Sequence, residues 1–206
     1  MTSMTDHPQI STAERKGAPE GVFFPLPLTG LTTPLTRTRL AGVNAPEPSI
    51  SFGDLLAYTD YLAQRWLNYF KQNPAALDVD VGGKTGSLRD LVTHIFQVEN
   101  FFAGLLAKEG AGSMAAPPKM DAPSLDDLGR LHQEAHKKLA EYIAAANEER
   151  LEKARTVGAI TVSERKILAQ TVLHSVHHWA QVAMEVRQAG FPAERPQDII
   201  ASPVMK

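Results

Sequence analysis

The segment Leu173-His174-Ser175-Val176-His177-His178-Trp179-Ala180-Gln181 concentrates three of the chain's seven histidines. Four residues of α-helix advance about 400 degrees, so His174 and His178 point within roughly 40 degrees of one another, one turn apart, and can share a ligand. His177 lies about 100 degrees round from His178 and reads as a polar neighbour. Gln181 continues the stripe of the pair, and Glu185 follows one turn later. Two placements are open for this stripe. If it faces the interior, its polar groups must be paired, because burying them unpaired is costly, and a metal ion would pair them. If it faces water, Val172, Val176, Trp179, Val182 and Val186 alone form the core face.

A third ligand must come from another helix. His94 is the candidate, since Leu91, His94, Val98 and Phe101 follow one face of an earlier segment and border its apolar seam. A lone histidine on such a face is more often hydrogen-bonded in a core; beside the pair it completes a set of three. His132 and His136 repeat the four-residue spacing, with His132 in a seam and His136 on a flank with Gln133, Lys137 and Lys138. A metal site on that second pair is the weaker reading, and a supporting role for His132 beside the main site is a further one. Three imidazoles leave at least one coordination position open, whereas structural zinc sites are closed by four protein ligands. The open arrangement is that of a catalytic metal, able to make a nucleophile of a thiol or water near neutral pH. Imidazole suits zinc, nickel, iron and copper, and affinity order alone does not decide which is held; zinc, nickel, iron or manganese is the expected ion.

The composition narrows the remaining chemistry. There is no cysteine, so disulfides, thiolate ligands and a cysteine nucleophile are excluded together. Twenty-one Lys and Arg against 23 Asp and Glu give a net charge of -2, without a basic stripe, which argues against nucleic acid as a partner. No stretch approaches the roughly 18 to 20 apolar residues that cross a bilayer, and the first residues lack the features of a secretory signal. A cytoplasmic protein without membrane contact is expected, acting on a small molecule.

The elements that must position the histidines follow from periodicity. Residues 1–50 carry prolines at 8, 19, 25, 27, 34, 46 and 48, a density that forbids a long helix and predicts an extended segment. Its apolar run Val22, Phe23, Phe24, Leu26 and Leu28 is expected to dock along its own chain or cover a neighbouring copy in a homodimer. From residue 51 to 206 the pattern is all-α, a four-helix bundle. A first helix runs from about Ser51 to Lys71, capped by Ser49 or Ser51 and stopped at Asn73-Pro74, with Phe52, Leu55, Leu56, Thr59, Leu62, Ala63, Trp66, Tyr69 and Phe70 as its buried stripe. The turn from Gly82 to Gly86 lacks the spacing of a phosphate loop and reads as a plain turn before a second helix, Ser87 to about Lys108. A crossover from Gly110 to Pro123 leads to a third helix, capped by Ser124 and reaching about Glu152, with the seam Leu125, Leu128, His132, Ala135, Leu139, Tyr142 and Ala146. Thr156 to Val162 is a short hairpin or a loop. The fourth helix starts at Ser163 and stops at Gly190.

Two of these segments resemble the DinB family of metal-binding bundles. Leu88 to Glu99, with His94 followed five residues later by Glu99, is similar to that family's second helix; His174 to Gly190 is similar to its last-helix signature. The resemblance covers about residues 51–200 and implies that His94, His174 and His178 are metal ligands. Trp179 stands where the family usually has arginine, and Ala180 where it has glycine. DinB-like proteins include thiol-dependent transferases and a mycothiol-dependent isomerase. The resemblance therefore implies a metal-dependent, transferase-like enzyme using a low-molecular-weight thiol and a small electrophile, with Gln181 or Glu99 as orienting groups. A metal-dependent hydrolase is the second expectation, and a metal-binding stress-response bundle without turnover the third.

Overall fold

A serine followed three residues later by an aspartate opens three of the four long helices in the computed structural model, which is described for residues 50–83, 85–108, 120–192 and 198–205. Helix α1 spans Phe52–Gln72, α2 Leu88–Ala107 and α3 Leu125–Ala145. Their N-caps Ser51, Ser87 and Ser124 each accept from the backbone N–H of Asp54, Asp90 or Asp127, while each aspartate accepts from the cap's own N–H. Each reciprocal cap contributes about 1 kcal/mol and fixes where its helix begins. The last long helix, α5, spans Glu164–Gln188; Ser163 caps it, and Gly190 turns the chain out of it at φ 79°. The expectations for residues 1–49, and for most of the crossover at 110–123, fall outside the described residues.

The third helix is shorter than its periodicity predicts. It ends at Ala145, and Asn147, whose side chain accepts from Arg150 N at 2.9 Å, caps a separate single turn, α4, at Glu148–Leu151. Asparagine bonds the backbone locally as readily as it continues a helix, and here the local bond wins. The hairpin expected between α3 and α5 forms, with β3 (Ala154–Val157) antiparallel to β4 (Ile160–Ser163) and Gly158 at φ 60° in its turn. Ahead of α2, β1 (Asp80–Gly82) and β2 (Gly86–Ser87) form a second, smaller hairpin. Gly86 sits at φ 84°, and a Cβ there would lie 2.7 Å from Asp90 Oδ2, so glycine and the cap of α2 depend on one another.

Helix α1 packs on α3 and α5, and α2 packs on the same two. The order round the bundle is therefore α1-α3-α2-α5, with α1 and α2 diagonal. Because α1 has two neighbours, it buries Tyr58 and Leu67 in addition to the predicted stripe. No helix among the described residues is long and apolar enough to cross a membrane.

The apolar interior is divided. One cluster holds Leu62, Trp66, Phe70, Ile95, Phe96, Leu128, Trp179 and Val182; the other holds Leu56, Ala103, Leu106, Ala135, Leu139, Tyr142, Ile167 and Leu168. Between them each helix contributes a polar group: Thr59 and Asp60 from α1, Glu99 from α2, His132 from α3, Thr171 and Ser175 from α5. Within this layer His132 is 1% and Glu99 3% exposed. His132 Nδ1 lies 2.9 Å from Glu99 Oε2, and His132 Nε2 lies 2.9 Å from Asp60 Oδ1. Thr171 and Ser175 donate to the carbonyls of Ile167 and Thr171 one turn back. A second buried ion network sits at the far end, where Glu164 accepts from Arg155 Nε at 2.6 Å and from the Tyr142 hydroxyl, and Arg155 Nη2 donates to Lys108 O at 2.7 Å. This ties the β3–β4 hairpin to the end of α2 and the start of α5.

Candidate metal centre

Helices α2 and α5 are neighbours in the bundle and carry His94, His174 and His178 on facing flanks. One nitrogen from each ring lies within 4.8 Å of the other two, and these three form the one such group among the described residues. His94 Nε2 and His174 Nε2 are 3.2 Å apart, and the ring centroids are separated by 4.3 to 5.1 Å.

The stripe on α5 takes neither of the two placements that the sequence left open. Thr171, Ser175, Trp179, Val182 and Val186 are the buried face, while His174, His178, Gln181 and Glu185 are half-buried beside it and His94 is exposed. The cluster therefore lies on a flank of the bundle. Trp179, at the position that differs from the family pattern, is fully buried: its ring stacks 6.0 Å from Trp66 and meets Phe96 edge-on at 5.6 Å. That aromatic group forms a packed wall behind the histidine-bearing turn.

The residues fit a divalent ion on three grounds. Tetrahedral ligands at about 2.0 to 2.1 Å from zinc bring their nitrogens about 3.3 to 3.4 Å apart, close to the 3.2 Å between His94 and His174. Among the described residues His174 Nδ1 is buried with no hydrogen-bond partner, a polar nitrogen that the protein leaves unsatisfied at the cluster. The charge state is also suitable. His94 is exposed as a residue, but its imidazole is partly desolvated, and that desolvation, reinforced by His178, holds its pKa below the usual histidine value. Burial again, with His178, His94 and His177 adding to it, pushes His174 down to about 4. Both rings are thus neutral at pH 7, as metal ligation requires.

Gln181 joins the cluster through His178. Its Oε1 lies 2.5 Å from His178 Nδ1, and its Nε2 lies 3.3 Å from His177 Nε2. The contact with His177, an exposed residue read from the sequence only as a neighbour, follows from spacing: Gln181 is three residues from one ring and four from the other, so one amide reaches both.

Glu99 is placed elsewhere. Five residues of helix turn it about 140 degrees from His94, and its hydrogen bond among the described residues goes to His132 in the polar layer. His132 makes no hydrogen bond to the three histidines, and it is bound between carboxylates. Burial alone would lower its pKa, but the hydrogen bonds and charges of Asp60 and Glu99 outweigh burial and raise it to about 9. The same hydrogen bond lowers Asp60, against its own partial burial. His136 stands 5.9 Å from His132 ring to ring and, among the described residues, joins no group of three that could close round an ion. Asp60 had no sequence signal, because its partner lies on α3, seventy-two residues away.

Comparison with known proteins agrees with this architecture. The sequence model of the DinB family matches residues 53–198. YfiT from Bacillus subtilis, described as a probable metal-dependent hydrolase with an unusual four-helix bundle topology, shares 17% identity, with 74% of this chain and 97% of that chain covered at a TM-score of 0.55. A DinB-like protein of the same organism, YjoA, shares 19% identity over 71% of this chain and 93% of its own, with a TM-score of 0.49. No curated protein sequence matches.

Proposed function

Because this chain belongs to the DinB family, we propose that it is a metal-dependent enzyme whose His94, His174 and His178 hold one divalent ion, zinc, nickel, iron or manganese, and which transfers a low-molecular-weight thiol to a small electrophile. The observation that carries this reading is the convergence of three histidine nitrogens on a flank of the bundle, with His94 exposed. A buried structural ion would sit in the core and be closed by a fourth protein ligand. Bound there, the ion supplies a Lewis acid that lowers the pKa of a thiol or water brought to it.

The chain's own residues do the rest. His94 and His174, neutral at pH 7, offer lone pairs without first releasing protons. Gln181 accepts from His178 and so aims that ring at the cluster. Trp66, Phe96 and Trp179 hold the α5 turn rigid from behind. With no cysteine in the chain, the thiol comes from outside. The reading takes the protein to be a cytoplasmic homodimer acting on a small molecule, with neither nucleic acid nor membrane as partner.

The description of YfiT favours a second reading, hydrolysis at the same centre with water in place of the thiol. One experiment separates the readings. The protein is loaded with zinc, nickel, iron or manganese in turn and offered low-molecular-weight thiols with electrophilic acceptors, and separately esters and amides. Metal-stimulated thiol consumption that disappears in His178→Ala supports transfer. Metal-stimulated cleavage without thiol supports hydrolysis. A rate at background throughout, with the loaded protein melting far above the metal-free form, makes the centre non-catalytic.

A further inference from the structure

Gln181 bridges two histidines, and its two ends are chemically distinct. An amide oxygen only accepts and an amide nitrogen only donates. With Oε1 at His178 Nδ1 and Nε2 at His177 Nε2, both tautomers are fixed together. His178 carries its proton on Nδ1 and presents a bare Nε2 to the cluster, while His177 keeps a lone pair on Nε2. Turning the amide over reverses the pattern: its nitrogen would donate to His178 Nδ1, the ring's proton would sit on Nε2, and the lone pair facing His94 and His174 would be lost. What selects between the two orientations is the group at the amide's other end.

We propose that His177 is a positioning residue for the metal centre, which by accepting from the Gln181 amide holds the orientation in which His178 offers Nε2 as a ligand. The inference rests on the three-histidine reading above and extends it to a residue that is not a ligand. His177 is exposed, its ring 5.1 Å from that of His178, so core packing does not hold it and its effect passes through the amide. Groups that orient a metal-binding histidine from outside the ligand set typically change metal affinity by about 10- to 100-fold. An exposed bond of 3.3 Å belongs at the lower end of that range.

The test reads the metal-free protein first. Long-range proton–nitrogen spectra of histidine-labelled protein report which nitrogen of His178 is protonated. The wild type should show Nδ1–H, and His177→Ala should give a mixture of both tautomers while melting at the wild-type temperature. Zinc titration should then show His177→Ala binding about tenfold more weakly, with no further loss when the same change is made in Gln181→Ala. An unchanged tautomer and unchanged zinc affinity in His177→Ala would overturn the proposal. So would an equal loss with and without Gln181, since His177 would then act independently of the amide. A wild type that binds no zinc would overturn the three-histidine reading instead, and the tautomer of the metal-free protein would still decide the role of His177.

Discussion

Replacing His132 with leucine removes the cation from the polar layer and leaves Glu99, 3% exposed, without its counter-ion. The size of the effect follows from the raised pKa of about 9 against an ordinary value of 6.5. At about 1.4 kcal/mol per unit, the protonated ring contributes about 3 kcal/mol, undiminished by solvent because His132 is 1% exposed. Its folded pKa lies above its unfolded one. The contribution is therefore complete below about pH 6.5 and disappears as pH rises through 9. Asp60 runs the other way, its lowered pKa giving stability that is lost only in acid. Urea unfolding between pH 6 and 9 should show the wild type losing about 3 kcal/mol, and His132→Leu showing no such slope. At pH 6 the variant should be about 3 to 5 kcal/mol less stable, and adding Glu99→Leu should restore much of that, since removing both partners costs less than stranding one. A wild type whose stability is level from pH 6 to 9, or a His132→Leu loss under about 1 kcal/mol, would refute the argument.

Three further outcomes are expected. His178→Ala should abolish metal occupancy, measured by elemental analysis after zinc loading, while Gln181→Ala keeps most of the metal and binds it more weakly. In the metal-free protein the His174 ring, held at about 4, should titrate by nuclear magnetic resonance well below the usual histidine range, and His94→Ala should raise its midpoint by opening the ring to solvent and removing a cationic neighbour; an unshifted midpoint would contradict the burial argument. Glu164→Ala removes the carboxylate that faces the buried Arg155 and should cost about 3 to 5 kcal/mol in denaturant, loosening the β3–β4 hairpin first in hydrogen exchange.

The long helices were legible in the sequence because serine caps and glycine stops bracket strongly periodic runs. Asn147 defeated the prediction for α3, since nothing in the local pattern weighs a cap against three preceding alanines. The pairing of His174 with His178 is a property of one helix and can be read from spacing. The approach of His94 depends on α2 and α5 being neighbours, which spacing does not determine; its place beside the α2 seam made it the candidate, and the family resemblance pointed the same way. Tyr58, Leu67 and the ion group of Asp60, His132 and Glu99 were hidden for a related reason. Each becomes interior only through contact with a helix distant in sequence. The family resemblance offered Glu99 as an orienting group, but the helix turns it about 140 degrees from His94, and its hydrogen bond among the described residues goes to His132.

His94 and His174 are 80 residues apart, on the second and the last of the long helices. During synthesis the chain emerges N-terminus first, so α1, α2 and α3 are all complete before either ligand on α5 exists. An ion arriving early meets His94 alone, and a single imidazole holds it poorly. On the three-histidine reading, loading would follow folding of the bundle, and a chain interrupted anywhere before α5 would hold no closed site. Occupancy of the centre would then record that synthesis had passed α5.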